Sequence, residues 1–127
     1  MPDLKFGNDD AGKKYTVAAG YFTLAEEAIK EMYRQAGDLI LTEKGVARRG
    51  LLVRHLVLPE NLAKTEKVLE FLAGKIPRDT FVNLMDQYYP AHRAYNYGEL
   101  SRRITPGEFR KVLAAARRAG LHRIYTG

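Results

Sequence analysis

The segment 50–59, with the sequence GLLVRHLVLP, constrains the fold of this chain more than any other. Apolar residues fill nearly every position from 51 to 58, which predicts a parallel strand covered on both faces. Two polar side chains, Arg54 and His55, interrupt the run at its centre. Because an arginine is always charged, one inside a sheet must meet an anion or several hydrogen-bond acceptors.

Around this segment the sequence predicts strands and helices in alternation. Further strands are expected at 3–6, 80–88 and 122–125, a small hairpin at 39–48, and a loop with a helical turn at 8–15. Helices are expected to begin at capping boxes opened by Thr23 and Thr105 and at a cap on Asn61, and to end before Gly37, Pro77 and Gly120. The alternation predicts one α/β domain over 1–127, in which β-α-β repeats form a parallel sheet. Two topologies stay open, a small open sheet and an arc of a barrel.

Composition excludes several classes of site. None of the 127 residues is cysteine, so the chain itself holds no disulfide, cysteine nucleophile or thiolate metal site. The absence of a signal peptide and of a long apolar run predicts a cytoplasmic protein with no membrane partner. The net charge of +6 is spread over short basic pairs with acidic neighbours. This favours a solvated surface with one anionic ligand, and nucleic acid is the minority interpretation.

Polar side chains recur on one face of the predicted strands. Side chains two residues apart share a face of a strand, so Asp3 pairs with Lys5 and Asn83 with Gln87. If the more polar face of each strand points inward, the inner wall carries Asp3, Lys5, Arg54, Asn83 and Gln87. The core of a closed barrel is normally filled by Val, Ile and Leu, whereas a polar wall is what a ligand site needs.

A structural interpretation of the same residues is equally compatible with the pattern. Asp3 and Arg54 would then form a buried ion pair that holds the sheet in register. His55 lies on the opposite face from Arg54, and a core histidine bonded to a backbone carbonyl is expected there. The three histidines are too scattered for a metal site. The long aromatic and basic loop at 89–104 is a candidate cap for a ligand site.

Three segments, PDLKF, GLLVRHLVLP and VNLMDQYYP, carry a resemblance to a known family. In order and spacing they resemble the C-terminal half of radical S-adenosylmethionine proteins, in the subgroup similar to the pyruvate formate-lyase-activating enzyme. The resemblance implies a partial, half TIM-type (βα) barrel with a small β-hairpin insertion. It also implies S-adenosylmethionine as cofactor. The Asp-x-Lys pair matches Asp3 and Lys5, and the Arg-x-x-x-x-Pro context matches Arg54.

In that family the following strand also contributes to the cofactor site, which implies a role for Gln87. Family members hold an iron–sulfur (4Fe–4S) cluster on a CxxxCxxC motif, and the cluster cleaves S-adenosylmethionine to a 5′-deoxyadenosyl radical. This chain lacks that motif, so a cluster could come only from a partner chain. The expected partner is a second copy or a cysteine-bearing chain that completes the barrel. The alternative function is a non-catalytic α/β module that binds an anionic or nucleotide-like ligand or a protein.

Overall fold

The computed structural model describes residues 1–77 and 79–127. Its described part contains four α-helices: Asp9–Thr16 (α1), Tyr21–Ala36 (α2), Thr65–Gly74 (α3) and Pro106–Arg118 (α4). Its strands are Ile40–Leu41 (β1), Ala47–Arg49 (β2), Leu52–Leu56 (β3), Phe81–Met85 (β4) and Ile124–Tyr125 (β5). Short 3-10 turns occupy Pro59–Asn61, His92–Asn96 and Gly98–Leu100. None of the helices described here has the length and apolar character needed to cross a bilayer.

The predicted α/β fold with a parallel sheet is confirmed. Strand β4 lies between β3 and β5 and runs parallel to both. The predicted first strand is reduced to one parallel bridge, between Asp3 and Arg54. It is held by two backbone bonds, from the Leu4 amide to the Arg54 carbonyl (2.8 Å) and from the Arg54 amide to the Pro2 carbonyl (2.9 Å). The order across the sheet therefore follows the order along the chain. Strands β1 and β2 form the predicted hairpin, and the described residues form no closed barrel.

The hydrophobic core lies on one face of this sheet. Val53 and His55 of β3 and Val82 and Leu84 of β4 are fully buried. Val53, Val82 and Leu84 pack in one cluster with apolar residues of the helices α2, α3 and α4, namely Ile29, Val68, Leu69, Phe71, Leu72, Val112 and Ala116. Because all three helices share this cluster, they cover the same face of the sheet.

The prediction that β3 is covered on both faces is wrong. Its alternate residues Leu52, Arg54 and Leu56 are only half-buried, whereas Val53 and His55 are buried. The apolar run at 51–58 reflects two apolar faces. The described residues bury one of them fully and the other only in part, because Asn83 and Met85 of β4 are buried there while the side chains of β3 are half-exposed. We call the other side the open face. It consists of Leu52, Arg54, Leu56, Phe81, Asn83, Met85 and Tyr125.

Two local predictions near the N-terminus are also wrong. The expected loop with one helical turn at 8–15 is instead the full helix α1, which Asn8 caps by accepting a hydrogen bond from the Ala11 amide (2.8 Å). The expected capping box at Thr23 does not form, because α2 begins earlier, at Tyr21. Asp9 binds that end of the helix instead. Its carboxylate accepts hydrogen bonds from the Phe22 amide (2.7 Å), the Thr23 amide (3.0 Å) and the Thr23 hydroxyl (2.7 Å).

Most of the other helix boundaries follow the sequence. The capping box at Thr105 is present: Glu108 accepts from the Thr105 amide (2.7 Å), and the Thr105 hydroxyl accepts from the Glu108 amide (3.1 Å). The predicted cap on Asn61 is wrong in position: Lys64 is the N-cap of α3 and its side chain makes no capping bond, whereas Asn61, in the preceding 3-10 turn, accepts from the Thr65 amide (2.9 Å). Helices α2 and α4 end before Gly37 and Gly120. These signals succeed because both partners lie within one turn of the chain.

We expect the replacement Asp9→Ala to lower the melting temperature at pH 7. The three donors that Asp9 satisfies would lose their acceptor at the first turn of α2, where amides have no partner within the helix. Asp10→Ala is the matched control, because both residues lie in the first turn of α1. Differential scanning calorimetry of both variants measures the effect, and equal melting temperatures would contradict this account.

Candidate functional site

Four polar side chains form a row across the open face. The register pairs Asp3 with Arg54, Arg54 with Asn83, and Asn83 with Tyr125. Because strands lie about 4.8 Å apart in a sheet, these side chains leave the sheet next to one another on the same side. We call this set the polar row. It lies in the middle of β3 and β4 and not beyond their carboxyl ends.

An ion pair occupies one end of the polar row. The Nε of Arg54 donates to Oδ1 of Asp3 (2.6 Å), and the Lys5 ammonium lies 3.4 Å from Oδ2. The hydrogen bond from Arg54 lowers the pKa of Asp3 below its usual value, so Asp3 is ionised at neutral pH. Both side chains of the pair remain about one-third exposed, 36% for Arg54 and 31% for Asp3. Solvent screening therefore limits what the pair contributes to stability.

The two terminal nitrogens of Arg54 are donors on the polar row. The ion pair with Asp3 uses only Nε. No acceptor bonds to the two terminal nitrogens within residues 1–77 and 79–127. The guanidinium thus offers a planar pair of donors to an anion, which is the geometry that suits a carboxylate or a phosphate.

Asn83 brings a buried amide into the same row. The residue is 9% exposed, and its Nδ2 donates to the Gly127 carbonyl (3.3 Å). Its Oδ1 is buried and accepts no hydrogen bond from any described residue. Buried side-chain oxygens in folded proteins nearly always have a partner. Asn83 is therefore an unusual feature of this face.

The structure brings three of the four predicted site residues together, namely Asp3, Lys5 and Arg54. The fourth, Gln87, lies exposed beyond the end of β4, and its Nε2 donates to the sulfur of Met85 (3.7 Å). Gln87 makes no hydrogen bond to the other three in the described structure. Cofactor binding by all four remains a prediction. The sequence placed Asn83 on this face, but the unpaired oxygen and the neighbouring Tyr125 become visible only with the register.

His55 has the structural role that the sequence predicts. Its Nδ1 donates to the Leu4 carbonyl (2.6 Å), and its Nε2 accepts from the Thr65 hydroxyl (2.8 Å), an assignment that fits a neutral ring. Burial lowers the pKa of His55 to about 4. With both nitrogens occupied and the ring on the covered face, His55 is not available to a ligand on the open face.

The long loop at 89–104 packs against α1. Glu99 accepts hydrogen bonds from the Lys14 ammonium (2.9 Å) and the Tyr15 hydroxyl (3.0 Å), and these bonds lower the pKa of Glu99 to about 2. The rings of Tyr15 and Tyr97 meet edge to face, 5.3 Å apart. The loop thereby joins the small apolar cluster of Phe6, Leu58 and Leu100, next to the carboxyl ends of the strands. A role as cap of a ligand site remains a prediction.

Comparison with known proteins gives one match. The chain is 30% identical over 126 residues to the uncharacterized protein MJ0674 of Methanocaldococcus jannaschii. The match covers 98% of this chain and 33% of the relative, so the chain spans about one third of the length of the curated relative it matches. No protein-family model matches the sequence, and no solved structure matches it. In the described residues, no group of three or more His, Cys, Asp or Glu side chains is placed to hold a metal ion.

We expect the free energy of unfolding to fall as the pH drops from about 6.5 to about 4. The pKa of His55 is lowered in the folded state, so the unfolded chain binds the proton first and is favoured in that window. The full loss is on the order of 3 kcal/mol. Chemical denaturation at pH 7, 5 and 4 measures it, and His55→Gln is expected to flatten the dependence. His92→Gln, at an exposed position, is the control substitution.

Proposed function

We propose that the open face is the S-adenosylmethionine-binding surface of a partial (βα) barrel of the radical S-adenosylmethionine type. One observation carries this proposal: Arg54 presents terminal nitrogens that bond to no described residue, on a face that the described residues cover only in part. The resemblance of the DLK and GLLVRHLVLP segments to that family assigns cofactor binding to the same residues, Asp3, Lys5 and Arg54. In the resembled family the strand after the one that carries the arginine also contributes to the cofactor site, and the proposal therefore includes Gln87.

The arrangement of the sheet supports the barrel rather than the doubly wound sheet. In a doubly wound sheet the strand order reverses, and helices cover both faces. Here the order of the segments follows the chain, and α2, α3 and α4 pack on one face. Right-handed crossovers between successive strands keep the helices on one side, as in a (βα) barrel. We therefore propose an arc of such a barrel, with the open face as its inner wall.

The polar row fits the chemistry of S-adenosylmethionine. That molecule presents a carboxylate, an ammonium, a sulfonium and two ribose hydroxyls. Arg54 and Lys5 supply cationic donors for the carboxylate or the hydroxyls, while Asp3 and the unpaired oxygen of Asn83 are acceptors. These residues would bind and orient the cofactor, which supplies the radical in the resembled family.

The chain does not fit the iron–sulfur cluster of that family. None of its 127 residues is cysteine, so no thiolate ligand comes from this chain. Cluster ligation is therefore assigned to another polypeptide, in line with the expected cysteine-bearing partner. The half-exposed Leu52, Leu56 and Phe81 give such a partner, or a second copy, an apolar area to cover.

A non-catalytic binding module is the second candidate. The observation that favours it is the ion pair itself, because Asp3 already balances the charge of Arg54 without any ligand. In that case the open face binds another anionic or nucleotide-like ligand, or only a protein. The two experiments that follow separate the candidates.

We expect Arg54→Gln to weaken the binding of S-adenosylmethionine by roughly ten- to a hundredfold, the range typical for loss of a hydrogen bond to a charged group. Equilibrium dialysis with labelled S-adenosylmethionine measures the dissociation constant, and ATP serves as the competing anionic nucleotide. Arg49→Gln, on the exposed hairpin, is the matched control and should leave affinity unchanged. Binding of ATP in preference to S-adenosylmethionine would favour the second candidate.

We expect an affinity-tagged chain, purified without oxygen from the cells that produce it, to bring down a protein with a CxxxCxxC motif. The complex should be brown, with the broad visible absorption of an iron–sulfur cluster, and mass spectrometry identifies its components. The same purification with the Arg54→Gln variant tests whether assembly of the complex depends on the bound cofactor. A colourless preparation that contains only copies of this chain would exclude the radical enzyme in favour of a binding module.

A further inference from the structure

The unpaired oxygen of Asn83 lowers the stability of the folded chain. A buried acceptor without a partner has lost its hydrogen bond to water and gained none in return. The orientation of the Asn83 side-chain amide is fixed by this hydrogen bond, because only its NH2 group can donate to the Gly127 carbonyl. The oxygen is therefore the atom left over.

The neighbours of Asn83 make it part of the polar row. Arg54, with its free terminal nitrogens, is its register partner on β3, and Tyr125, 55% exposed, is its partner on β5. The apolar side chains Leu56 and Met85 form the next pair along the same face. The open face thus holds a buried acceptor and a cationic donor side by side, next to an apolar area.

We propose that Asn83 is a ligand-binding residue of the open face, and that its Oδ1 accepts a hydrogen bond from an N–H or O–H group of the ligand. This proposal rests on the proposed function. It restricts the ligand to molecules in which a hydrogen-bond donor lies close to an acceptor or an anionic group. The donor would bond to Asn83, and the acceptor or anionic group would bond to Arg54. S-Adenosylmethionine contains two such pairs, the ammonium and carboxylate of its amino-acid end and the hydroxyls of its ribose.

The decisive variant is Asn83→Leu, which keeps the shape of the side chain and removes the unpaired oxygen. In the absence of ligand, we expect it to raise the midpoint of chemical denaturation, because leucine suits a buried apolar position. At the same time, we expect it to weaken the binding of S-adenosylmethionine at least tenfold in equilibrium dialysis. A gain in stability with a loss of affinity is the signature of a polar group kept for a ligand.

Thr80→Val is the matched control. The Thr80 hydroxyl is also buried without a partner among the described residues, but Thr80 precedes β4 and alternates with Asn83 to the covered face. Valine should therefore raise the denaturation midpoint without changing affinity. Competition with L-methionine and with adenosine then identifies the end of the ligand that Asn83 contacts. The fragment whose binding is lost in Asn83→Leu carries the donor.

Several results would overturn the proposal. If Asn83→Leu lowers the denaturation midpoint, the oxygen has a partner in the folded chain. If Asn83→Leu binds S-adenosylmethionine as well as the unchanged protein while Arg54→Gln binds it poorly, only the role of Asn83 is wrong. If the unchanged protein binds neither the cofactor nor its fragments, both the proposed function and the role of Asn83 are wrong. Should leucine prevent folding, Asn83→Ala removes the same oxygen and supplies the binding measurement.

Discussion

Two adjacent residues in the middle of β3 hold the N-terminal segment in place from both faces of the sheet. On the open face, the side chain of Arg54 bonds to Asp3, and its backbone bonds to Pro2 and Leu4. On the covered face, His55 bonds to the Leu4 carbonyl and, through its other nitrogen, to Thr65 at the start of α3. The positions of Asp3 and Lys5 therefore depend on β3. Arg54 thus positions the neighbours with which it forms the polar row.

The outer edge of that segment is closed by a side chain. The Lys5 amide donates to the Tyr21 hydroxyl (2.7 Å), which in turn donates to the Asp3 carbonyl (3.4 Å). These two backbone groups point away from β3 and are the ones that a further parallel strand would use. Tyr21 satisfies them as a strand would, which protects the edge from unspecific pairing. A partner that continued the sheet at this edge would have to displace the Tyr21 hydroxyl.

Local chemistry could be predicted from the sequence, whereas contacts between distant segments could not. The capping box at Thr105 and the hairpin involve residues a few positions apart, and they are confirmed. The cap on α2 comes from Asp9, 13 residues before the Phe22 amide that it binds, so a local pattern at Thr23 gave a wrong start. The apolar run at 51–58 correctly predicted a parallel strand. It gave no information on which face its own chain would cover, because both faces are apolar.

The same limit explains why the candidate site could be predicted only in part. Alternation along each strand correctly put Arg54 and Asn83 on the more polar face, but pairing them needed the register between β3 and β4. Because the register places Arg54 beside Asn83, covering the open face with protein alone would bury the terminal nitrogens of Arg54 next to the oxygen of Asn83, which is already buried. That burial is costly unless both groups find partners. A ligand that satisfies both removes the cost, so ligand and covering partner would each strengthen the binding of the other.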